Sequence, residues 1–433
     1  MKLRSMISAA VLGTASVAGL AASPQAAAAA PARTVPSGAP SGCTATDDDI
    51  YAPSENISGD PGDLLACAPA KLSNIPGDIP MKAWKVRYVS TDAKGAKIAV
   101  SGTVAVPDAP APGGGARPTV AFNPGTLGLG EQCAFSKQLA GHFVDMYEGG
   151  NLGLFLKAGM AVAATDGVGY LKGSTHTYVV GANAGHALLD AVRASRKIPG
   201  GTLTADGQVG ISGYSEGGQA ALWGAQLAAS YAPELKVVGA AAGGVPGDLK
   251  VTAKFLNGGA FAGFAADALV GLHSAYPEMP FDSLMNDAGK KAVQDVKSNC
   301  LYGTLAVFAG QHVENFSTDH LTLDQIYALK GPDGTSWGEI VDRQKLGVDI
   351  GPASSGAKYK IGFPVFQYRG WLEEIIPHET EDATHDAYCK AGINTTWKNT
   401  YPTEHLTTDW GAAGDVTNFL ADRFAGKPVQ SNC

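Results

Sequence analysis

Charge is scarce in this 433-residue sequence: Asp, Glu, Lys and Arg make up 17% of it, against 45% hydrophobic residues. So little charge beside so much apolar material excludes intrinsic disorder. The balance is acidic, a formal −8 at pH 7, which argues against a nucleic-acid partner, whose phosphates require clustered Lys and Arg. Periodicity is missing as well. The 56 glycines follow no fixed interval and no internal repeat is evident, so collagen-like and linker readings fail. The six cysteines lack the C-x-x-C spacing of a zinc site. Gly128-Leu129-Gly130 and Gly167-Val168-Gly169 lack the third glycine of a dinucleotide fingerprint. Asp47-Asp48-Asp49 lacks the spaced ligands and glycine of a calcium loop and reads as solvated, and His320 near Asp319 and Asp324 reads as an incidental polar loop. No metal or organic cofactor is expected, and no stable protein partner is implied.

The N-terminus carries Lys2 and Arg4, a weakly apolar stretch from Met6 to Ala22, and an Ala-rich run ending at Ala30. This is the pattern of a secretory signal peptide, expected over 1–29, rather than of a membrane anchor. Cleavage would take the formal charge to −10, and the Pro/Ala/Gly/Ser segment 30–42 reads as a flexible leader. In an exported chain all six cysteines can pair. Closure of neighbours along the sequence suggests Cys43 with Cys67 and Cys389 with Cys433, leaving Cys133 with Cys300. The sequons at Asn56, Asn315 and Asn394 matter only in a host that glycosylates.

From Met81 to Val106 two β-prone runs flank the turn Asp92-Ala93-Lys94-Gly95, an antiparallel hairpin. Beyond Pro118 come short apolar runs, each followed by a Gly-rich break and a helical pattern: Thr119–Phe122, Met160–Ala164, Gln208–Ser212, Val237–Ala242 and, much later, Phe363–Tyr368. Near-continuous apolar strands alternating with helices predict an α/β protein with a mostly parallel sheet covered on both faces. Residues of about 245–360 interrupt the alternation with helical segments, Leu256–Leu272, Asp287–Ser298 and Leu323–Leu329, and read as a helical cap inserted into a catalytic domain spanning 43–433.

One motif carries chemistry. Gly213-Tyr214-Ser215-Glu216-Gly217 matches G-x-S-x-G, follows the β-prone run Gln208–Ile211 and precedes a helix-forming segment. That order is what a nucleophile elbow needs. A serine hydroxyl requires a base, and the base an acid to orient it. In this architecture acid and His follow Ser in the chain. Of the histidines beyond the Phe363 run, His378 and His385 read as surface residues, whereas His405 falls between a β-like run, Asn394–Tyr401, and the last helix, about Ala412–Phe424. The loop Gly370-Trp371-Leu372-Glu373-Glu374-Ile375-Ile376-Pro377 offers Glu373 as the acid, with Glu374 as an exposed neighbour.

The elbow Gly-Tyr-Ser-Glu-Gly-Gly-Gln-Ala, the segment Ala164–Tyr170, the run Leu189–Ala194 and the ending Leu420–Gly426 together resemble the secretory lipase family of α/β-hydrolases. The resemblance, from about Ala66 to Cys433, implies a triad of Ser215, Glu373 and His405. Glu373 stands where members usually carry Asp, and Asn123-Pro124-Gly125-Thr126 stands where they often carry His-Gly-Thr. Oxyanion donors are then expected from the backbone of Glu216 and of Gly125 or Thr126, since Pro124 has no N–H. The resemblance implies a secreted carboxylic-ester hydrolase acting on an ester or lipid, with a lipid–water interface as its possible setting. Acyl transfer to a non-water acceptor uses the same machinery. A peptidase and an inactive binding protein are the remaining alternatives.

Overall fold

The computed structural model describes residues 41–142 and 145–433. The expected signal peptide and nearly all of the leader lie outside them. Nine strands form one sheet: β1 (Leu64–Pro69), β2 (Met81–Thr91), β3 (Lys97–Pro107), β4 (Thr119–Asn123), β5 (Ala161–Thr165), β6 (Gln208–Tyr214), β7 (Lys236–Gly243), β8 (Val365–Gly370) and β9 (Thr395–Tyr401). Their spatial order is β1-β2-β3-β5-β4-β6-β7-β8-β9. The pairs from β1 to β5 are antiparallel, with β2 and β3 forming the expected hairpin, and every pair from β5 to β9 is parallel. The first strand was not anticipated: its six residues include a terminal proline, and Cys67 ties it to Cys43.

The parallel strands are buried on both sides, as their uninterrupted apolar runs require. Val120 and Phe122 of β4 face Phe135, Phe155 and Leu420, while Ala121 between them faces Leu188 and Trp223. Helices Gly181–Ser195 and Glu216–Tyr231 cover the second side; Gly149–Lys157 and His405–Phe424 cover the first. All three disulfides join the cysteines that closure along the sequence suggested. The Asp47–Asp49 cluster is not simply solvated. It opens a short helix, with Asp47 paired to Lys85 at 2.9 Å and Asp48 to Lys172 at 2.7 Å.

Between β7 and β8 the chain builds helices Leu249–Leu256, Ala262–Ala275, Asp287–Ser298, Leu301–Phe308, Leu323–Ala328 and Trp337–Asp342, then a two-residue ladder of Ile350–Gly351 with Tyr359–Lys360. The single helix expected over 256–272 is two. Gly258 adopts φ 78°, outside the range a helix allows, and its N–H donates to the Gln311 carbonyl at 3.0 Å. These helices pack around their own apolar cluster, including Leu249, Val270, Phe281, Phe308 and Trp337. They are sewn to the sheet by the Cys133–Cys300 disulfide and by two backbone bonds, Leu301 N–H to Leu127 O at 3.0 Å and Gly130 N–H to Asn299 O at 3.1 Å. Among the described residues no helix is long and apolar enough to cross a membrane.

Candidate active site

Ser215 lies between β6 and helix Glu216–Tyr231 at φ 59°, ψ −122°, a backbone state that L residues avoid and that must be held by its surroundings. Its N–H donates to the Gly243 carbonyl at the end of β7, at 2.8 Å. The glycines of the motif are demanded by contact. A Cβ at Gly213 would stand 2.1 Å from the Gly217 carbonyl oxygen, and one at Gly217 would stand 2.2 Å from that of Asn123. Strands β4 and β6 therefore close directly on the turn, and the serine is lifted off their ends.

His405 is the first residue of helix His405–Phe424, which begins seven residues earlier than expected. Its Nδ1–H donates to Glu373, both of whose carboxylate oxygens lie at 2.7 Å. Glu373 Oε1 also accepts the N–H groups of Ile375 and Ile376, at 3.0 and 2.9 Å. The Tyr214 hydroxyl donates to the His405 carbonyl at 2.7 Å, and a Cβ at Gly244 would stand 2.9 Å from His405 Cε1. The imidazole thus sits over the end of β7, the same strand end that holds Ser215. Glu374 is not an exposed neighbour: half-buried, it accepts the His405 N–H at 2.9 Å. Nor is His385 a surface residue, because it is buried against Trp397, ring centroids 5.1 Å apart; His378 is partly exposed.

Burial raises the Glu373 pKa, yet the charge and hydrogen bond of His405 and the two N–H donors outweigh it, and the net shift is downward. Burial lowers that of His405, yet the charge and hydrogen bond of Glu373, with Glu374 and Asp409 adding to them, shift it upward. Glu373 is therefore ionised, and Nδ1 carries the ring proton. Nε2 is left as the basic nitrogen.

Of the expected oxyanion donors, the N–H groups of Glu216 and Thr126 have no acceptor among the described residues. Gly125 is corrected: its N–H donates to Glu148 Oε1 at 2.5 Å and is not free for a ligand. Two anchors escaped sequence reasoning. His176 Nε2 binds the Glu216 carboxylate at 2.7 Å while its Nδ1–H donates to the Val168 carbonyl at 2.9 Å, and the Tyr178 hydroxyl meets Thr126 Oγ1 at 2.8 Å. None of His176, Tyr178 and Glu148 has a spacing that marks it in the sequence.

Ser215 opens on an apolar pocket of about 40 Å³, whose walls include Val179, Leu256, Phe264, Ile375 and Ile376. Val179 itself takes φ 57°, a strained state for a β-branched residue. Leu249, Ala253, Ala265 and Ala268 line both this pocket and a larger apolar cavity of about 110 Å³ inside the inserted helices.

A mostly parallel sheet, a serine elbow after β6, a carboxylate after β8 and a histidine after β9 define the α/β-hydrolase fold. The X-ray structure of Candida antarctica lipase A in its closed state superposes with a TM-score of 0.74 at 24% identity, covering 89% of this chain and 88% of that one. The rice cell wall degrading esterase LipA from Xanthomonas oryzae superposes at 0.66 with 14% identity, over 86% and 100% of the two chains. At those identities the likeness is one of fold. The secretory lipase family model matches residues 143–432, a span that contains Ser215, Glu373 and His405, and the chain belongs to that family. Lipase 1 of Candida albicans is 32% identical over 284 residues, 64% of this chain and 58% of the relative. The secreted triacylglycerol lipase LIP5 of Malassezia globosa is 29% identical over 282 residues, 64% and 56%. The match thus spans less than two thirds of the length of either relative.

Proposed function

We propose that this protein is a secreted serine hydrolase that cleaves carboxylic esters of apolar acyl groups through an acyl-enzyme on Ser215. The observation that carries the reading is the buried His405–Glu373 couple, seated over the strand end that holds the elbow serine. Ser215 Oγ attacks the ester carbonyl as His405 Nε2 takes its proton, and Glu373 orients the ring and stabilises the imidazolium. The N–H groups of Glu216 and Thr126 receive the oxyanion, each such donor being worth about 2.7–4 kcal/mol in the transition state. His405 then protonates the leaving alcohol, and water activated by the same ring releases the acid.

The inserted helices, about 245–360, act as a cap over the catalytic domain 43–433, and their apolar cavity supports an acyl chain as its occupant. Secretion, with a signal peptide over 1–29 and a leader over 30–42, is supported by the pairing of all six cysteines and by relatives named as secreted lipases. Trp371 and Leu372, 67% and 61% exposed just ahead of Glu373, support approach to a lipid–water interface. The test is labelling with an active-site phosphonate, mapped by mass spectrometry, alongside turnover of p-nitrophenyl esters of graded chain length. Labelling at Ser215 and loss of turnover in S215A are expected. Labelling elsewhere, or full turnover by S215A, overturns the reading.

A further inference from the structure

Two buried carboxyl groups stand behind the site and take no part in the steps above. Glu148 Oε1 accepts the Gly125 N–H, and its Oε2 has no partner. Asp409, one turn beyond His405 on the same helix, accepts from Asn151 Nδ2 at 2.7 Å through Oδ1, and its Oδ2 has no partner. Both residues are fully buried. The segment 147–151 joins them: Asn151 N–H donates to the Glu148 carbonyl at 3.1 Å, and Trp410 Nε1 donates to the Tyr147 carbonyl at 2.8 Å. One short stretch of chain therefore grips both the oxyanion loop and the helix of His405.

The charges facing this pair are few. Glu216 bears on Glu148, and His405 bears on Asp409 with the opposite sign. Tyr147, Tyr214 and Tyr368 pack around them, kept neutral by burial and by the neighbouring carboxylates. Burial first, then the charge of Asp409, raises the Glu148 pKa; burial raises that of Asp409 to about 7. Two buried anions without a shared counter-ion repel, and such acids retain a proton as a pair.

We propose that Glu148 and Asp409 hold one proton between them and, in that singly charged state, clamp the loop of Gly125 and Thr126 to the helix carrying His405. They are positioning residues for the reaction proposed above, on which this inference rests. The proton resides on Oε2 or Oδ2, the oxygens with no other partner. When it leaves, the two carboxylates, with Glu216 close by, push loop and helix apart, and turnover falls while Ser215 and Glu373 keep their places.

The experiment measures kcat, KM and Tm across pH for the wild type, E148Q and D409N. Each amide keeps an oxygen for its present donor, Gly125 N–H or Asn151 Nδ2, and removes one titrating group. Both acids hold their protons more tightly in the folded protein than in the unfolded chain, so the stability they contribute is full in acid and is lost as pH rises through their raised folded values, about 7 for Asp409 and well above the ordinary carboxylate range for Glu148. In the wild type kcat is expected to fall along an alkaline limb at nearly constant KM, with Tm falling over the same range. E148Q and D409N cannot become doubly charged, so in both that limb is lost and the alkaline decline in Tm flattens. E148A, which strips Gly125 of its acceptor, lowers kcat at every pH by about tenfold, and E148Q restores it. An alkaline limb in the same place in both amide variants, a Tm profile parallel to the wild type, or failure of both variants to fold overturns the proposal. A wild type inert toward esters would instead sink the hydrolase reading, and the Tm profiles would still test the pair.

Discussion

Three carboxylates act on one imidazole at His405: Glu373 on its Nδ1, Glu374 on its backbone N–H, and Asp409 one turn along the helix. As the proposed general base, His405 must be neutral to work, and its ring is held above its ordinary value. The acid limb of kcat/KM should therefore have its midpoint above about 6.5. E374Q removes one of the raising charges, so a pH-rate profile should show that midpoint moving down with kcat reduced only a few-fold. E373Q removes the orienting charge itself and should lower kcat by roughly 10³–10⁴-fold. A steeper loss in E374Q than in E373Q would move the acid by one residue. Ser215, His405 and Glu373 were legible because a motif, chain order and loop position converge on them. Glu148 and Asp409 were not, since a lone carboxylate reads as solvated until the fold buries it beside another.

The elbow shows at the level of elements why its glycines cannot be exchanged. With the Asn123 carbonyl oxygen 2.2 Å from where a Cβ would stand, G217A must push helix Glu216–Tyr231 away from β4. Urea unfolding should show a loss of about 2 kcal/mol or more, and the phosphonate should label the variant far more slowly. Helix boundaries were less legible than strands. Residues 405–411 contain Thr, Asp and Gly, poor helix formers, yet they are helical because Glu404 accepts the N–H groups of Leu406 and Thr407 and Glu374 takes that of His405. One of those caps comes from the acid loop, a tertiary contact that no local pattern reveals. The apolar run 256–272 misled for the converse reason: it kept its hydrophobic character across a turn at Gly258.

Across the whole molecule, two of the other family segments, Ala164–Tyr170 and Leu189–Ala194, turn out to be joints. Asp166 accepts hydrogen bonds from Ser101 Oγ and from Ser136 N–H and Oγ, each at 2.6 Å, and Asp190 accepts from Ser90 Oγ, Tyr231 OH and Arg193 within 2.8 Å. These buried acids tie helices and loops to the sheet. The Cys133–Cys300 bridge is a joint of another kind. Replacing both cysteines by alanine should cost about 2–5 kcal/mol in guanidinium unfolding and lower kcat/KM more for long-chain than for short-chain esters, because the cap cavity loosens. Equal loss for all chain lengths would mean that the bridge serves the sheet alone. Cys133 and Cys300 also close a ring that contains β5, β6, β7, Ser215 and the first three inserted helices. A protease that cuts one bond inside that ring opens it without dividing the molecule. A cut just beyond Cys300, before β8, releases a C-terminal piece bearing Glu373 and His405 that only packing retains. One half of the inserted helices can thus be nicked with the molecule still in one piece, and the other half is where it comes apart.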